Sequence, residues 1–294
     1  MTAATLDRPA TSARLLSALQ VVHWRNLPLM AGLCIAAILM LMPFLWMVGA
    51  SLRPAGEAYR LPPSIIPREW TLAAYREALG SGIPFVQMYW NSLVVAALST
   101  LGVLITASMA AFAFARLEFR GSTPLFLTML GGLMVPPALT LIPLYFGFAR
   151  LGLLDSLSAL ILPAMASSFG VYMMRQFMLS RPRELEEAAL MDGASYWTIF
   201  WRISLPQLGP ALAALGIITF TTSWNNYISP FVLIKSWDKM TLPAGIVALQ
   251  GLMGAASVSV VMAAATMAIL PLLLVFLVAQ RFIIEGMTMS GLKQ

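Results

Sequence analysis

Side chains able to do covalent or metal chemistry are scarce in this chain. It has one histidine, His23, and one cysteine, Cys34, so neither a histidine-based triad nor an HExxH metal site can be assembled. No Gly-Lys pair occurs, and hence no G-x-x-x-x-G-K-[ST] loop to cradle phosphate. What remains are two concentrations of polar residues. The first, residues 179–209, reads LSRPRELEEAALMDGASYWTIFWRISLPQLG. Pro182 suits a first helical turn, and Glu184, Glu186 and Glu187 complement the positive end of a helix dipole. Leu185, Ala188, Ala189 and Asp192 share one face by i, i+3, i+4 spacing, and Gly193 supplies the permissive backbone that ends a helix. Ser195 can cap a second helix carrying Tyr196, Trp197, Phe200 and Trp201, which Pro206 interrupts. Two such short helices are marginal alone in water and need a surface, either a protein groove or a membrane interface. The second concentration is Thr219, Thr221, Thr222, Ser223, Trp224, Asn225, Asn226 and Tyr227, closed by Ser229-Pro230. Uncharged amides and hydroxyls beside aromatic rings suit a neutral, hydroxyl-rich solute, and they equally suit hydrogen bonding between helices.

The elements that position these residues follow from where charge is missing. Of 294 residues 60% are hydrophobic and only 10% charged, with mean hydropathy +0.83. A soluble domain carries roughly a quarter charged residues, and a disordered chain is poor in apolar ones, so both classes are excluded. A lone cysteine excludes a disulfide framework. Charge-free runs cover Asn26–Leu52, Ala78–Ala115, Gly121–Ala149, Ser156–Met174, Ile203–Ile234 and Met240–Gln280. About 20 apolar residues in a helix cross the hydrocarbon core. We therefore expect six membrane helices, near Leu27–Ala50, Trp90–Ala115, Leu125–Phe148, Leu157–Met174, Pro210–Ile234 and Ser257–Gln280. The expected organisation is an N-terminal segment 1–26, a membrane domain 27–281 containing the loop 179–209, and a C-terminal tail 282–294.

An even number of crossings puts both termini on one side. The polar segment 1–26 leads into a long first span without a cleavage site, so that span is expected to be retained. With the termini in the cytoplasm, that side holds 11 of the 18 Lys+Arg: Arg8, Arg14 and Arg25, Arg116 and Arg120, Arg175, Arg181, Arg183 and Arg202, and Arg281 and Lys293. This agrees with the positive-inside rule, and the basic excess reads as topology rather than nucleic-acid binding. His23 then reads as a headgroup-region residue and Cys34 as packing. No Asp, Glu, Lys, Arg or His lies inside an assigned span, which argues against a proton-driven carrier but leaves a sodium site of carbonyls and hydroxyls open. Ala107, Ala111 and Ala115 recur at the spacing that lets a neighbouring helix approach closely. Pro136-Pro137 and Pro143 should kink or break the third span. In the outer segment 51–89, Thr71 can cap a short helix over Thr71–Leu79 with Leu72, Tyr75 and Leu79 on one face.

The loop carries a resemblance. Glu187-Ala188-Ala189, then Gly193 after three residues, then Ile203-Ser204-Leu205-Pro206 after nine more, is similar to the EAA–x3–G–x9–I–x–L–P signature of permease subunits of ATP-binding-cassette (ABC) importers. Trp224-Asn225-Asn226-Tyr227 with Pro230, Thr241-Leu242-Pro243, and the tail Gln280-Arg281, Gly286 and Gly291-Leu292-Lys293 resemble the carbohydrate branch, of the maltose permease G type. The resemblance runs from the first span onward. It implies an all-α, six-transmembrane-helix type I importer bundle in a bacterial or archaeal plasma membrane. It also implies a coupling helix made of Glu187, Ala188, Ala189, Asp192 and Gly193, supported by Ile203, Leu205 and Pro206. The implied partners are a second permease, two ATPase subunits that hold the ATP and Mg, and an external solute-binding protein. This chain itself is then non-catalytic and holds no cofactor or metal. Trp224, Asn225, Asn226 and Tyr227 are the expected solute-pathway residues, for a carbohydrate in the first place. A non-sugar ABC importer and an ion-coupled carrier are the competing expectations.

Overall fold

Within a bilayer a chain must satisfy its own backbone polar groups, so long apolar runs fold as helices. The computed structural model describes the backbone of residues 27–54, 57, 67–80, 84–252 and 257–291, and of these the side chains of all but 27, 249–252 and 279–291. The expectations for His23, for segment 1–26 and for the tail side chains from Gln280 onward fall outside the described residues.

Among the described residues every regular element is helical. In chain order they are α1 (Leu27–Ser51), α2 (Ala73–Gly80), α3 (Phe85–Arg116), α4 (Ser122–Gly131) with a 3-10 turn at Gly132–Met134, α5 (Pro137–Arg150), α6 (Ser158–Ala164) and α7 (Ser168–Leu179). Next come α8 (Glu184–Met191), α9 (Tyr196–Ile199), a π-helical stretch (Phe200–Ser204), a single turn (Leu205–Gln207) and α10 (Gly209–Trp224). The remainder are α11 (Ile228–Leu233), α12 (Leu242–Leu252) and α13 (Val258–Gly291). The central element is α3, which packs against α7 and α10, while α13 packs on α10, α2 and α1. Among the described residues three helices are long and apolar enough to cross a membrane singly, Pro28–Ser51, Phe85–Arg116 and Val258–Val278. Two bent pairs raise the number to as many as five. Six crossings are consistent with this arrangement but not fixed by it.

The expected spans that differ do so at identifiable breaks. The third is divided between α4 and α5 by a 103° bend at Pro136-Pro137, because neither proline nitrogen can donate. Pro143 lies inside α5 without ending it. The fourth expected span, Leu157–Met174, is divided into α6 and α7. Ser167 adopts an extended conformation and its hydroxyl accepts from the Gly170 N–H at 2.9 Å, which starts α7 afresh. The Met165 carbonyl at the end of α6 accepts from the Thr106 hydroxyl of α3 at 2.6 Å. The fifth, Pro210–Ile234, stops at Trp224 and resumes as α11, with the Asn226 carboxamide oxygen accepting from the Ser229 N–H at 3.2 Å. The outer helix starts at Ala73, whose N–H donates to Thr71 Oγ1 at 3.1 Å. It buries Ala74 and Ala78, whereas Leu72 and Leu79 are exposed. Of the expected face only Tyr75 packs inward, against the cluster that Ala74 and Ala78 form with Val260 and Ala263 of α13, its hydroxyl 2.7 Å from Ser51 Oγ.

The alanine series does form a packing seam. Ala107, Ala111 and Ala115 are buried with Val171, Met174 and Met178 of α7, and a Cβ placed on Gly170 would stand 3.1 Å from Ala107 Cβ. Gly102 is tighter still: its Cβ would overlap the Cγ and Cε of Met165 and stand 3.0 Å from the Met165 Cβ. Gly102→Val should therefore destabilise the detergent-solubilised protein by about 1–3 kcal/mol, the usual cost of overpacking, measured as a lowered thermal midpoint.

Candidate functional site

The loop after α7 builds a two-faced knuckle. Arg183 is the N-cap of α8, so Pro182 precedes the helix instead of occupying its first turn, and three glutamates follow. After Met191 the chain reverses at Gly193, whose φ of +83° is the left-handed conformation that glycine adopts without strain. The Ala194 N–H then donates to the Ala189 carbonyl at 2.9 Å. Ser195 caps α9 by accepting from the Thr198 N–H at 3.2 Å. Pro206 acts upstream of its own position. Lacking an N–H, it favours the wider π-helical winding at Phe200–Ser204 in place of a clean stop. Glu187, Ala188 and Asp192 are exposed, flanked by Leu185 (66% exposed) and Met191 (88% exposed). Ala189, Ile203 and Leu205 instead pack against the core formed by α3, α7 and α10. Pro206 is exposed. Of the residues expected to couple, the structure thus presents Glu187, Ala188 and Asp192 outward and uses Ala189, Ile203 and Leu205 as their footing.

A second glutamate anchors the knuckle. Glu186 Oε2 lies 2.6 Å from Arg116 Nε at the end of α3, with the two side chains only 9% and 5% exposed. Its Oε1 accepts from the Ser204 hydroxyl at 2.8 Å. Arg183 Nη2 donates to the Ala115 carbonyl at 2.8 Å, and Arg116 Nη2 to the Arg181 carbonyl at 3.3 Å. Removing one member of a buried pair typically costs about 3–5 kcal/mol, because the other charge is left uncompensated. Sequence reasoning saw Glu186 only as a helix-dipole residue. Its one local signal is its place directly before Glu187, since its partners come from distant segments.

The second site is a cavity of about 560 Å³ between α3, α5, α6, α10 and α11, with Phe169 of α7 also on its wall. Among the described residues no charged one lines it, and its polar lining includes Thr219, Thr222, Ser223, Asn226 and Ser229. Asn226 also lines an adjoining groove of about 340 Å³, which takes in Asn225 and Tyr227. Trp224 is set apart from these neighbours. It is 2% exposed, its indole N–H donates to the Ala268 carbonyl at 3.1 Å, and its ring packs edge-on to Tyr89 and stacked on Phe220. Among the described residues, no group of three His, Cys, Asp or Glu side chains is placed to share a metal ion.

Asp155 fastens the rim of this cavity. Its φ is +55°, and its carboxylate accepts from the Lys235 and Ser236 N–H groups at 2.9 Å, the Ser236 hydroxyl and Lys239 Nζ. The Asp155 N–H returns a bond to the carbonyl of Leu233, a lining residue. The Ser236 hydroxyl, then the Ser236 and Lys235 N–H groups, hold its carboxyl well below the usual carboxylate range. A depressed folded value stabilises above the unfolded value of about 3.9 and is lost as pH falls through the folded one. Asp155→Asn should accordingly lower the thermal midpoint at neutral pH, and the gap to wild type should close as pH is taken below about 4.

The knuckle and the cavity both lie within residues 102–288 or border them, and that stretch matches the family described as binding-protein-dependent transport system inner membrane component. The chain belongs to this family. It is therefore a transport permease subunit and a multi-pass inner membrane component. Among its relatives, the arabinooligosaccharides transport system permease protein AraQ of Halalkalibacterium halodurans is 34% identical, over 89% of this chain and 94% of that protein. The trehalose/maltose transport system permease protein MalG of Thermococcus litoralis is 30% identical, over 92% and 97% respectively. A chain in the crystal structure of a bacterial ABC transporter involved in the import of the acidic polysaccharide alginate superposes with a TM-score of 0.74, at 24% identity, over 94% of this chain and 99% of that one. The architecture is thus the all-α permease bundle of an ABC importer.

Proposed function

We propose that this permease subunit forms, with a second permease, the passage by which an ABC importer takes up a neutral carbohydrate. Two separate ATPase subunits bind ATP and Mg and seat α8 in a groove, and an external binding protein delivers the solute. Both termini lie in the cytoplasm, on the side of α8. The observation that carries this reading is the exposed Glu187-Ala188 face, held outward by a left-handed Gly193 and a buried Glu186. Small Ala188 allows close approach by a groove, and Glu187 can meet a basic group there. Closure of the ATPase pair draws the knuckles together and rocks the helices between inward- and outward-facing forms.

The solute assignment draws on the relatives, whose names specify arabinooligosaccharides and trehalose/maltose, and on the lining of the cavity. Hydroxyl and amide groups without charge match the donors and acceptors of a sugar ring and do not offset a carboxylate. Asn226 is the pathway residue we favour, with Asn225 and Tyr227 on the adjoining groove and Trp224 as their support. The test is to purify the chain with its copurifying subunits and screen neutral sugars, uronates and amino acids, with the binding protein, for stimulated ATP hydrolysis. Stimulation by neutral saccharides is expected. Stimulation by amino acids alone would move the reading to a non-sugar importer, and liposome uptake driven by a Na⁺ or H⁺ gradient without ATPase subunits would overturn it.

A further inference from the structure

Glu187 and Glu186 are adjacent on α8 and serve opposite sides. The first is exposed, and the second spends both carboxylate oxygens inside the protein, on two different structural arms. Arg116 ends α3, an unbroken helix from Phe85 whose Ser92, Val95, Ser99 and Val103 line the cavity. Ser204 belongs to the π-helical stretch that precedes α10 across a 78° bend, and Ile218, Thr219, Thr222 and Ser223 of α10 also line the cavity. One carboxylate thus joins the knuckle to the end of α3, which lines the cavity, and to the segment just before α10. Burial keeps water from competing for either contact, so the joint is stiff. Arg183, donating to the Ala115 carbonyl, braces the same corner.

We propose that Glu186 is the positioning residue through which displacement of α8 reaches the cavity: its links to Arg116 and Ser204 make α8 and α3 move as one body. This deepens the proposed function and rests on its assignment of α8 to an ATPase groove. The mechanical reason is that α8 is short and meets its neighbours elsewhere mainly through Ala189 and the Arg183 contact. Without the Glu186 links, a pull on Glu187 would tilt α8 in place.

The experiment uses the full complex in lipid nanodiscs, with Cys34→Ser as background and spin labels at Met191→Cys on α8 and Leu101→Cys on α3. Both of these positions are exposed. With Glu186 intact, the Met191–Leu101 distance is expected to be the same in nucleotide-free and ATP-vanadate-trapped complexes. Glu186→Gln should make that distance shift on trapping, and the exchanged pair Glu186→Arg with Arg116→Glu should remove the shift. A shift already present with the native pair overturns the proposal, without depending on whether any variant folds. So does a Glu186→Gln complex that melts earlier but keeps a nucleotide-independent distance, since that is a purely structural role. Failure of the underlying reading is separately visible: no ATPase subunits would copurify with the wild-type chain.

Discussion

Gly193→Pro should abolish uptake and uncouple ATP hydrolysis from transport, while the chain still reaches the membrane. Proline is confined to φ near −65°, whereas Gly193 sits at +83°, so the turn behind α8 cannot form. The substitution also deletes the N–H that donates to the Leu190 carbonyl at 3.0 Å. Nothing lies within 4 Å of a Cβ built on Gly193, so the damage stays in the knuckle. Gly193→Ala separates backbone from contact effects. It meets no neighbour and costs only the left-handed penalty of about 1–2 kcal/mol, so uptake should fall without vanishing. Glu187→Lys should also abolish uptake, for a different reason: the residue is exposed, and charge reversal alters what the knuckle offers and not how it folds. Membrane abundance by immunoblot, solute uptake and ATP hydrolysis together check all three. Normal transport by both Gly193→Pro and Glu187→Lys would remove the knuckle from the mechanism.

Trp224 and Asn226 should fail in opposite ways. Trp224→Ala empties a site packed by Tyr89, Phe220 and α13, and removes the indole N–H that donates to the Ala268 carbonyl. Deleting a buried aromatic side chain typically costs about 3–5 kcal/mol, so the thermal midpoint should drop sharply and uptake should fall with the amount of folded protein. Asn226→Asp retains the acceptor that caps the start of α11, so the fold should hold. It introduces a charge where the cavity has none, and uptake of a neutral solute should fall with the midpoint near wild type. A Trp224→Ala protein as stable as wild type would contradict the packing, and unimpaired uptake by Asn226→Asp would take the cavity off the solute route.

The contrast shows what the sequence could and could not disclose. Helices that cross in one piece were legible because charge brackets them: α1 ends within a residue of the expected Ala50, and Arg116 closes α3. Among the breaks inside the other crossings, the one at Pro136-Pro137 was legible from the paired prolines, whereas those at Ser167 and Asn226 leave no such mark, since both residues are uncharged and act through single hydrogen bonds. The knuckle was legible because turn chemistry is local, with Gly193 and Ser195 doing what their types suggest. Its footing was not, because whether Glu186 or Glu187 turns inward is decided by Arg116, which the fold brings from another helix. Trp224 was grouped with its polar neighbours for the same reason: proximity in sequence says nothing about which ring α13 will cover.

One stretch of the chain is finished differently from the rest. From Ser122 to Arg150, through α4, the turn and α5, no residue is buried, although Leu125, Leu127, Met134, Leu139, Ile142 and Phe146 all project from it. The segment is held at its two arms, where Phe126 lies under Arg175 and against Phe114, and Leu144, Tyr145 and Phe148 pack on the core, while the elbow at the paired prolines is itself exposed. Pinned along its arms and bare at its joint, the same molecule placed in a thicker or thinner bilayer, or beside a different companion, should flex there first.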